Sequence, residues 1–315
     1  MSTLRSIVAL LLCAAAPGAV AEVHDPPFLF LHDGKAGGGT VRLILQELGL
    51  LPFFHTCHPS PCDEWWSDEN RTQHKCAPRF VIIPLRSPVE RFKSAFDWRN
   101  VLQCRKEDTR EPDKKYAQAH PTEGCVKGEK MQGKSTELTV DFLARYDNDA
   151  NVLAEALCDT NNSVAQADMK SILHARHSLA DWLPPRLLST AHVYAMPMGT
   201  GLSFVDVIRS TGKQLVNDYN RFVQLGDNCT AQSAVRAKIR IPTQNPMTYS
   251  STAHSSAEHP RSSSVLSQRG MRCVTRYYSQ DYKVLAYLRD VACLGPLQED
   301  CRAAINEMLT EVTNV

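Results

Sequence analysis

Phe28-Leu29-Phe30-Leu31-His32-Asp33-Gly34-Lys35-Ala36-Gly37-Gly38-Gly39-Thr40 is the stretch on which the fold of this chain turns. Its first four residues are apolar without a break, as in a short buried strand. A glycine-rich turn with one lysine follows. Beyond it Val41, Ile44, Leu45 and Leu48 recur at i, i+3, i+4 and i+7, one face of an amphipathic helix. Strand, glycine-rich turn and helix together aim free backbone N–H groups and the positive helix end at a phosphate-like anion. Glycine suits the turn because a Cβ would hold the backbone away from the anion. Lys35 adds a point charge and Thr40 a hydroxyl.

The spacing separates the phosphate loops that could own such a turn. A Walker A loop needs a glycine where Leu29 stands and Ser or Thr where Ala36 stands, and a dinucleotide fingerprint needs a glycine at Arg42. What remains is Lys35-x-Gly37-Gly38-x-Thr40. A second apolar run, Phe80-Val81-Ile82-Ile83-Pro84-Leu85, reads as another strand and ends in Arg86-Ser87-Pro88-Val89-Glu90-Arg91-Phe92-Lys93-Ser94-Ala95-Phe96. Ser87 with Glu90 is a capping box and Pro88 sits at the first helical position, so a helix begins there. Arg86 at the strand end and Ser94 two helical turns on are placed to converge on one phosphate.

The lysine-first loop resembles the 5′-phosphosulfate loop of sulfotransferases that use 3′-phosphoadenosine 5′-phosphosulfate (PAPS). The pattern Arg86-x-Pro88-x-x-Arg91-x-x-Ser94-Ala95-Phe96 resembles the 3′-phosphate motif of the Golgi-type glycan sulfotransferases, most closely the family of heparan sulfate 2-O- and 6-O-sulfotransferases. The resemblance is sharp over 28–48 and 80–98, diffuse over 150–208 and 265–290, and absent from 103–137. It implies an α/β fold, P-loop-like, with a mostly parallel sheet flanked by helices. It also implies that Lys35, Ala36, Gly37, Gly38, Gly39 and Thr40 hold the 5′-phosphosulfate, that Arg86 and Ser94 hold the 3′-phosphate, and that the acceptor is a glycan hydroxyl. No metal is required. The chain departs from the family at Gly39, where members carry Ser or Thr, and lacks the family's glutamate-containing turn after its later strand.

Sulfuryl transfer to an alcohol needs a base for the hydroxyl proton, and neutral histidine suits that task near pH 7. In the resembling family a catalytic histidine lies between the two motifs, which here leaves His55, His58 and His74. His58 and His55 are preferred, in the Cys-framed aromatic segment Phe53–Trp66; Glu64 is the carboxylate alternative. The same segment's imidazoles and thiols, with His74 and Cys76, can be drawn as a zinc site. Its irregular spacing and the oxidising compartment argued below favour paired cysteines.

Residues 1–21 have the form of a secretory signal: Arg5, an apolar run from Ile7 to Ala16, and Ala19-Val20-Ala21 as a cleavage site, with an uncleaved Golgi signal anchor as the alternative. The remainder, 22–315, is long enough for one α/β sulfotransferase domain with an inserted loop at 103–137. Lys+Arg number 35 against Asp+Glu 34, which excludes a globally basic nucleic-acid binder and leaves an anionic glycan to a local patch. Of 11 cysteines, Cys13 leaves with the signal; the even remainder and the sequons at Asn70, Asn161 and Asn228 suit a disulfide-bonded protein of the Golgi lumen or the secreted fraction.

Helical patterns run over 138–157 and from Met169 to Leu183, where His174 and His177 fall on a helix surface. Ala191–Met196 reads as a third core strand, followed by a helix from Phe204. A mobile loop is expected over 243–268, and the resemblance, whose members close a C-terminal loop over the nucleotide about there, makes Arg261, Ser262 and Ser263 weak candidates for donor contacts. A last helix opens at Thr275, and Cys293 and Cys301 are close enough to staple the tail. A lumenal phosphotransferase and a catalytically silent glycan-binding relative remain the alternative functions.

Overall fold

The computed structural model describes residues 28–58, 61–62, 80–103, 145–147, 149–172, 174–198, 203–224 and 265–313. The expectations for Glu64, His74, the 104–137 insertion, the signal and Arg261–Ser263 lie outside them.

The two apolar runs are strands, β1 (Phe28–Leu31) and β3 (Phe80–Leu85), every residue of which is buried. With β2 (Phe54–Cys57) and β4 (His192–Pro197) they form a four-stranded sheet in the order β2-β1-β3-β4. All three pairings are parallel, in register Phe28↔Phe54, Phe28↔Phe80 and Phe80↔His192. The expected "mostly parallel" sheet is thus wholly parallel among the described residues. Pro84 is tolerated in a central strand because β1 ends its pairing at Ile82 and has no ladder bond to lose at position 84.

Alternation along the strands divides the core. Leu29, Leu31, Val81, Ile83, Leu85, Val193 and Ala195 face one side; Phe28, Phe30, Phe80, Ile82, Tyr194 and Met196 face the other. The second side is covered by α1 (Gly38–Glu47) through Val41, Ile44 and Leu45, and by the helix after β4, Phe204–Gln224, through Ile208, Leu215 and Tyr219. The first side is covered by α2 (Pro88–Gln103), α3 (Ala150–Ala156) and three C-terminal helices. Between α3 and β4 run α4 (Ser163–Ser171), α5 (Leu179–Trp182) and α6 (Pro185–Thr190); the long helix Phe204–Gln224 is α7. The last three are α8 (Gln268–Tyr277), α9 (Ser279–Val291) and α10 (Gln298–Thr313). This is an α/β fold with a parallel sheet between helical layers.

Two expected boundaries move. The helix drawn from Met169 to Leu183 stops at Ser171, where Ile172 turns to extended backbone, and restarts only at Leu179 under a Ser178/Asp181 capping box. The helix drawn from Thr275 begins at Gln268 and breaks at Tyr278, whose non-helical backbone separates α8 from α9.

Disulfides join Cys57 to Cys62, Cys158 to Cys273, and Cys293 to Cys301. The second closes a loop of sequence separation 115, tying the end of α3 to α8. Replacing both Cys158 and Cys273 by serine is expected to lower stability by about 2–4 kcal/mol, because long loops gain most from closure. Urea unfolding reads the loss, and an unchanged midpoint rejects it. Asn161, a sequon acceptor, is exposed just before α4, which Asn162 caps through its side chain. No helix among the described residues is long and apolar enough to cross a membrane.

Candidate anion-binding site at the strand ends

β1 and β3 are neighbours in the sheet, yet α1 leaves β1 over one face and α2 leaves β3 over the other. The chain paths diverge there, at the carboxyl ends of the strands, the topological position at which open parallel sheets form a ligand-binding crevice.

Two cations meet in that crevice. Arg86, first residue after β3, donates from Nη1 to the carbonyl of Lys35 at 3.2 Å, across 51 positions of sequence. Its other terminal nitrogen lies 3.6 Å from Glu90, which also accepts from Lys93 at 2.9 Å. Lys35 holds the left-handed backbone region at φ 66°, and Gly37 at φ 83° is the N-cap of α1 with no side-chain cap bond. The helix start therefore presents its first N–H groups without a capping side chain, a positive terminus beside two positive side chains. Burial, and then the nearby Arg86 charge, push the Lys35 ammonium down to about 8 against the pull of Asp97. Burial also lowers Arg86, opposed by Glu90 and Asp97.

The glycines answer to this chain's own side chains, which differs from the expected reason. A Cβ on Gly34 would stand 2.3 Å from His174 Nδ1, one on Gly37 would stand 2.6 Å from Met198 Sδ, and one on Gly38 would stand 1.8 Å from His32 Cδ2. The backbone is kept bare so that these groups can close over it.

Three imidazoles stand over the turn. His32 stacks on Phe30 with centroids 5.4 Å apart, His58 stacks on His32 at 4.1 Å, and His174 lies parallel to His58 at 5.8 Å. His58, the exposed member, places Nδ1 3.4 Å from the His32 carbonyl. A carbonyl only accepts, so this contact is a hydrogen bond when Nδ1 carries the proton, and of the two neutral tautomers that is the one whose Nε2 keeps its lone pair. Burial, followed by the neighbouring His58, pushes His32 down to about 4; burial, followed by Lys35, does the same to His174. Both are neutral at pH 7.

Below the turn lies Arg91, 1% exposed. It donates to Asp33 at 2.6 Å, to Asp281 at 2.8 Å and to the His177 carbonyl at 3.2 Å, and its guanidinium sits 4.9 Å from the Tyr278 ring centre. Asp281 also accepts from Leu179 N at 2.8 Å. Turn, α2, the stretch from His177 to Leu179 and α9 are thus pinned to one cation. Ser87 caps α2 by accepting from Glu90 N at 3.2 Å, while its hydroxyl donates to Glu311 of α10. The expected capping box is half made, since the Glu90 carboxylate turns to Arg86 and Lys93 instead.

Of the residues singled out from sequence, Lys35, Ala36, Gly37, Gly38, Gly39 and Thr40 form the turn and helix start. Arg86 reaches that turn, and His58 stands above it. Ser94 is half-buried on α2, and no hydrogen bond joins it to Arg86. His55 sits back on β2 beside Cys57 and Cys62, the three side chains offering ligand atoms within 4.8 Å of one another. Those sulfurs are bonded to each other, which takes both thiolates from the zinc arrangement drawn in the sequence. Sequence reasoning assigns no role to His32, Asp33, Arg91 or Asp281, and the helix surface expected for His174 and His177 is not formed: both lie between α4 and α5, with His174 packed against Gly34. No family model, no curated protein and no solved structure matches this chain.

Proposed function

We propose that this protein is a PAPS-dependent glycan O-sulfotransferase of the secretory pathway, with a P-loop-like donor site. The observation that carries the reading is the Arg86–Lys35 contact, which joins the two motif ends into one positive crevice at an uncapped helix start. The two cations lie near enough for the Arg86 charge to lower Lys35, Glu90 and Asp97 offset part of that charge, and the donor brings two phosphate groups and a sulfate suited to such a positive helix start. Gly37 to Thr40 supply N–H groups to the 5′-phosphosulfate, and Arg86 with Ser94 serve the 3′-phosphate. Lys35 neutralises charge building on the leaving phosphate as the sulfuryl–oxygen bond breaks. His58 takes the acceptor's proton at Nε2; its exposure leaves that nitrogen open to a glycan, whereas His55 is set back beside a disulfide. Disulfides and sequons support a lumenal or secreted setting.

Calorimetry with 3′,5′-adenosine bisphosphate tests the donor site. Arg86→Ala should weaken binding by ~1.5–3 kcal/mol, the range for a charged hydrogen-bonded contact, and Ser94→Ala by less. Unchanged affinity in Arg86→Ala removes the 3′-phosphate assignment. Transfer of labelled sulfate to mixed glycans then separates an enzyme from a silent binding relative.

A further inference from the structure

We infer that His174 is a positioning residue for His58: with His32 it closes a column of stacked rings that holds the His58 imidazole in its Nδ1-protonated tautomer over the lysine turn. The inference rests on the proposed role of His58 as the base.

The column starts in the core. Phe30 is fully buried, and its ring lies within 5° of parallel to His32. His58 then lies on His32 and His174 lies along His58, at interplanar angles of 21° and 20°. The two rings stacked with His58 are set against the backbone of the turn. His32 fills the space over Gly38 and His174 the space over Gly34, so each ring stands where a side chain on the turn would otherwise be. The strand end adds its own constraint. His32 N donates to the Cys57 carbonyl at 3.1 Å, and the Cys57–Cys62 disulfide brings the chain back just after His58. His58 is thus the exposed ring of a stack whose other members are set into the fold.

Positioning matters because an exposed histidine is free to take either tautomer and to swing about its side-chain bonds. Only the tautomer that gives Nδ1–H to the His32 carbonyl leaves Nε2 to accept a proton. His174 is the second ring stacked with His58, and it comes from the 174–178 segment that Arg91 holds through the His177 carbonyl. Its neutrality fits the task, since a charged neighbour would oppose the imidazolium that His58 becomes.

Ring-nitrogen NMR on ¹⁵N-histidine-labelled protein tests this, with the His58 signals assigned by their loss in His58→Asn. At neutral pH the intact protein should show His58 protonated at Nδ1. His174→Ala should shift that signal towards the Nε2–H form and lower turnover on the order of ten- to a hundredfold, with 3′,5′-adenosine bisphosphate affinity kept. His174→Phe, which keeps the ring and discards its nitrogens, should restore the tautomer. A wild-type His58 protonated at Nε2, or a His58 signal indifferent to His174→Ala, overturns the inference. Failure of the bisphosphate to bind the wild type instead removes the sulfotransferase reading, and the tautomer result still decides whether His174 holds His58.

Discussion

On the proposed function, Lys35→Ala is expected to lower turnover by roughly two or more orders of magnitude, the scale of removing one preorganised electrostatic donor, while donor affinity falls by less. The difference follows from what the lysine meets at each stage. In the proposed ground state the 5′-phosphosulfate is already served by the start of α1 and the 3′-phosphate by Arg86, both of which survive the substitution. In the transition state charge accumulates on the oxygen that joins sulfur to phosphorus, and only an interaction stronger there than in the bound substrate accelerates the step. The pH dependence carries the same signature. Lys35, lowered to about 8, is charged at neutral pH and loses its proton as the pH rises through that value. On the proposed role kcat/KM, which reports the ligand-free protein's groups, should therefore fall above about pH 8, and Lys35→Arg, which stays protonated, should move that limb upward. Donor affinity measured beside turnover, for the same proteins, decides the role. Equal losses in both make the lysine a phosphate anchor, and no loss in either ends the sulfuryl-transfer reading.

Much of the framework is legible in the sequence because it obeys local rules. Uninterrupted apolar runs bounded by turn residues mark β1, β3 and β4, and the i, i+3, i+4 pattern marks α1. β2 is hidden because Phe54-His55-Thr56-Cys57 alternates weakly and lies on an edge, where half-exposed His55 and Thr56 carry no strand signal. The break after Ser171 has a local sign, since Ser178 and Asp181 spell a capping box, and that break is what turns His174 inward. The site is legible only where one motif supplies a whole contact. Lys35 and Arg86 each announce a cation at a strand end, but nothing local says that Arg86 bonds the Lys35 carbonyl. Arg91 shows the same difficulty in reverse. It belongs to the motif as plainly as Arg86 does, and its partners, Asp33 and Asp281, stand 58 and 190 positions away. Which of the two arginines stands at the lysine turn and which lies in the core is settled by packing between distant segments.

Arg91→Met is expected to cost about 3–5 kcal/mol of stability, the cost of leaving buried charge without its partner. The cation is shared by two carboxylates, so the cluster carries one uncompensated negative charge even when intact. Desolvation accordingly outweighs the attraction of Arg91 and pushes Asp281 up from 3.8 to about 6, and it raises Asp33 as well. Burial alone lowers Arg91, and the two carboxylates more than reverse it, holding the guanidinium protonated. A folded value above the unfolded one means that the folded chain keeps a proton the unfolded chain gives up. The stability this contributes is fully present below about pH 4 and is lost as the pH rises through about 6. Removing Arg91 takes away the attraction that opposed desolvation, so both carboxylates rise further and the variant's stability should fall more steeply between about pH 4 and 7 than the wild type's. The triple variant Arg91→Met, Asp33→Asn, Asp281→Asn should regain much of the loss, because no buried charge remains and the new amide oxygen can still accept from Leu179 N. Urea unfolding across that pH range measures all three proteins. A loss under about 1 kcal/mol for Arg91→Met, or a stability indifferent to pH, would mean that the turn is held to α2 and α9 by packing alone and that the ion cluster contributes nothing to placing Lys35.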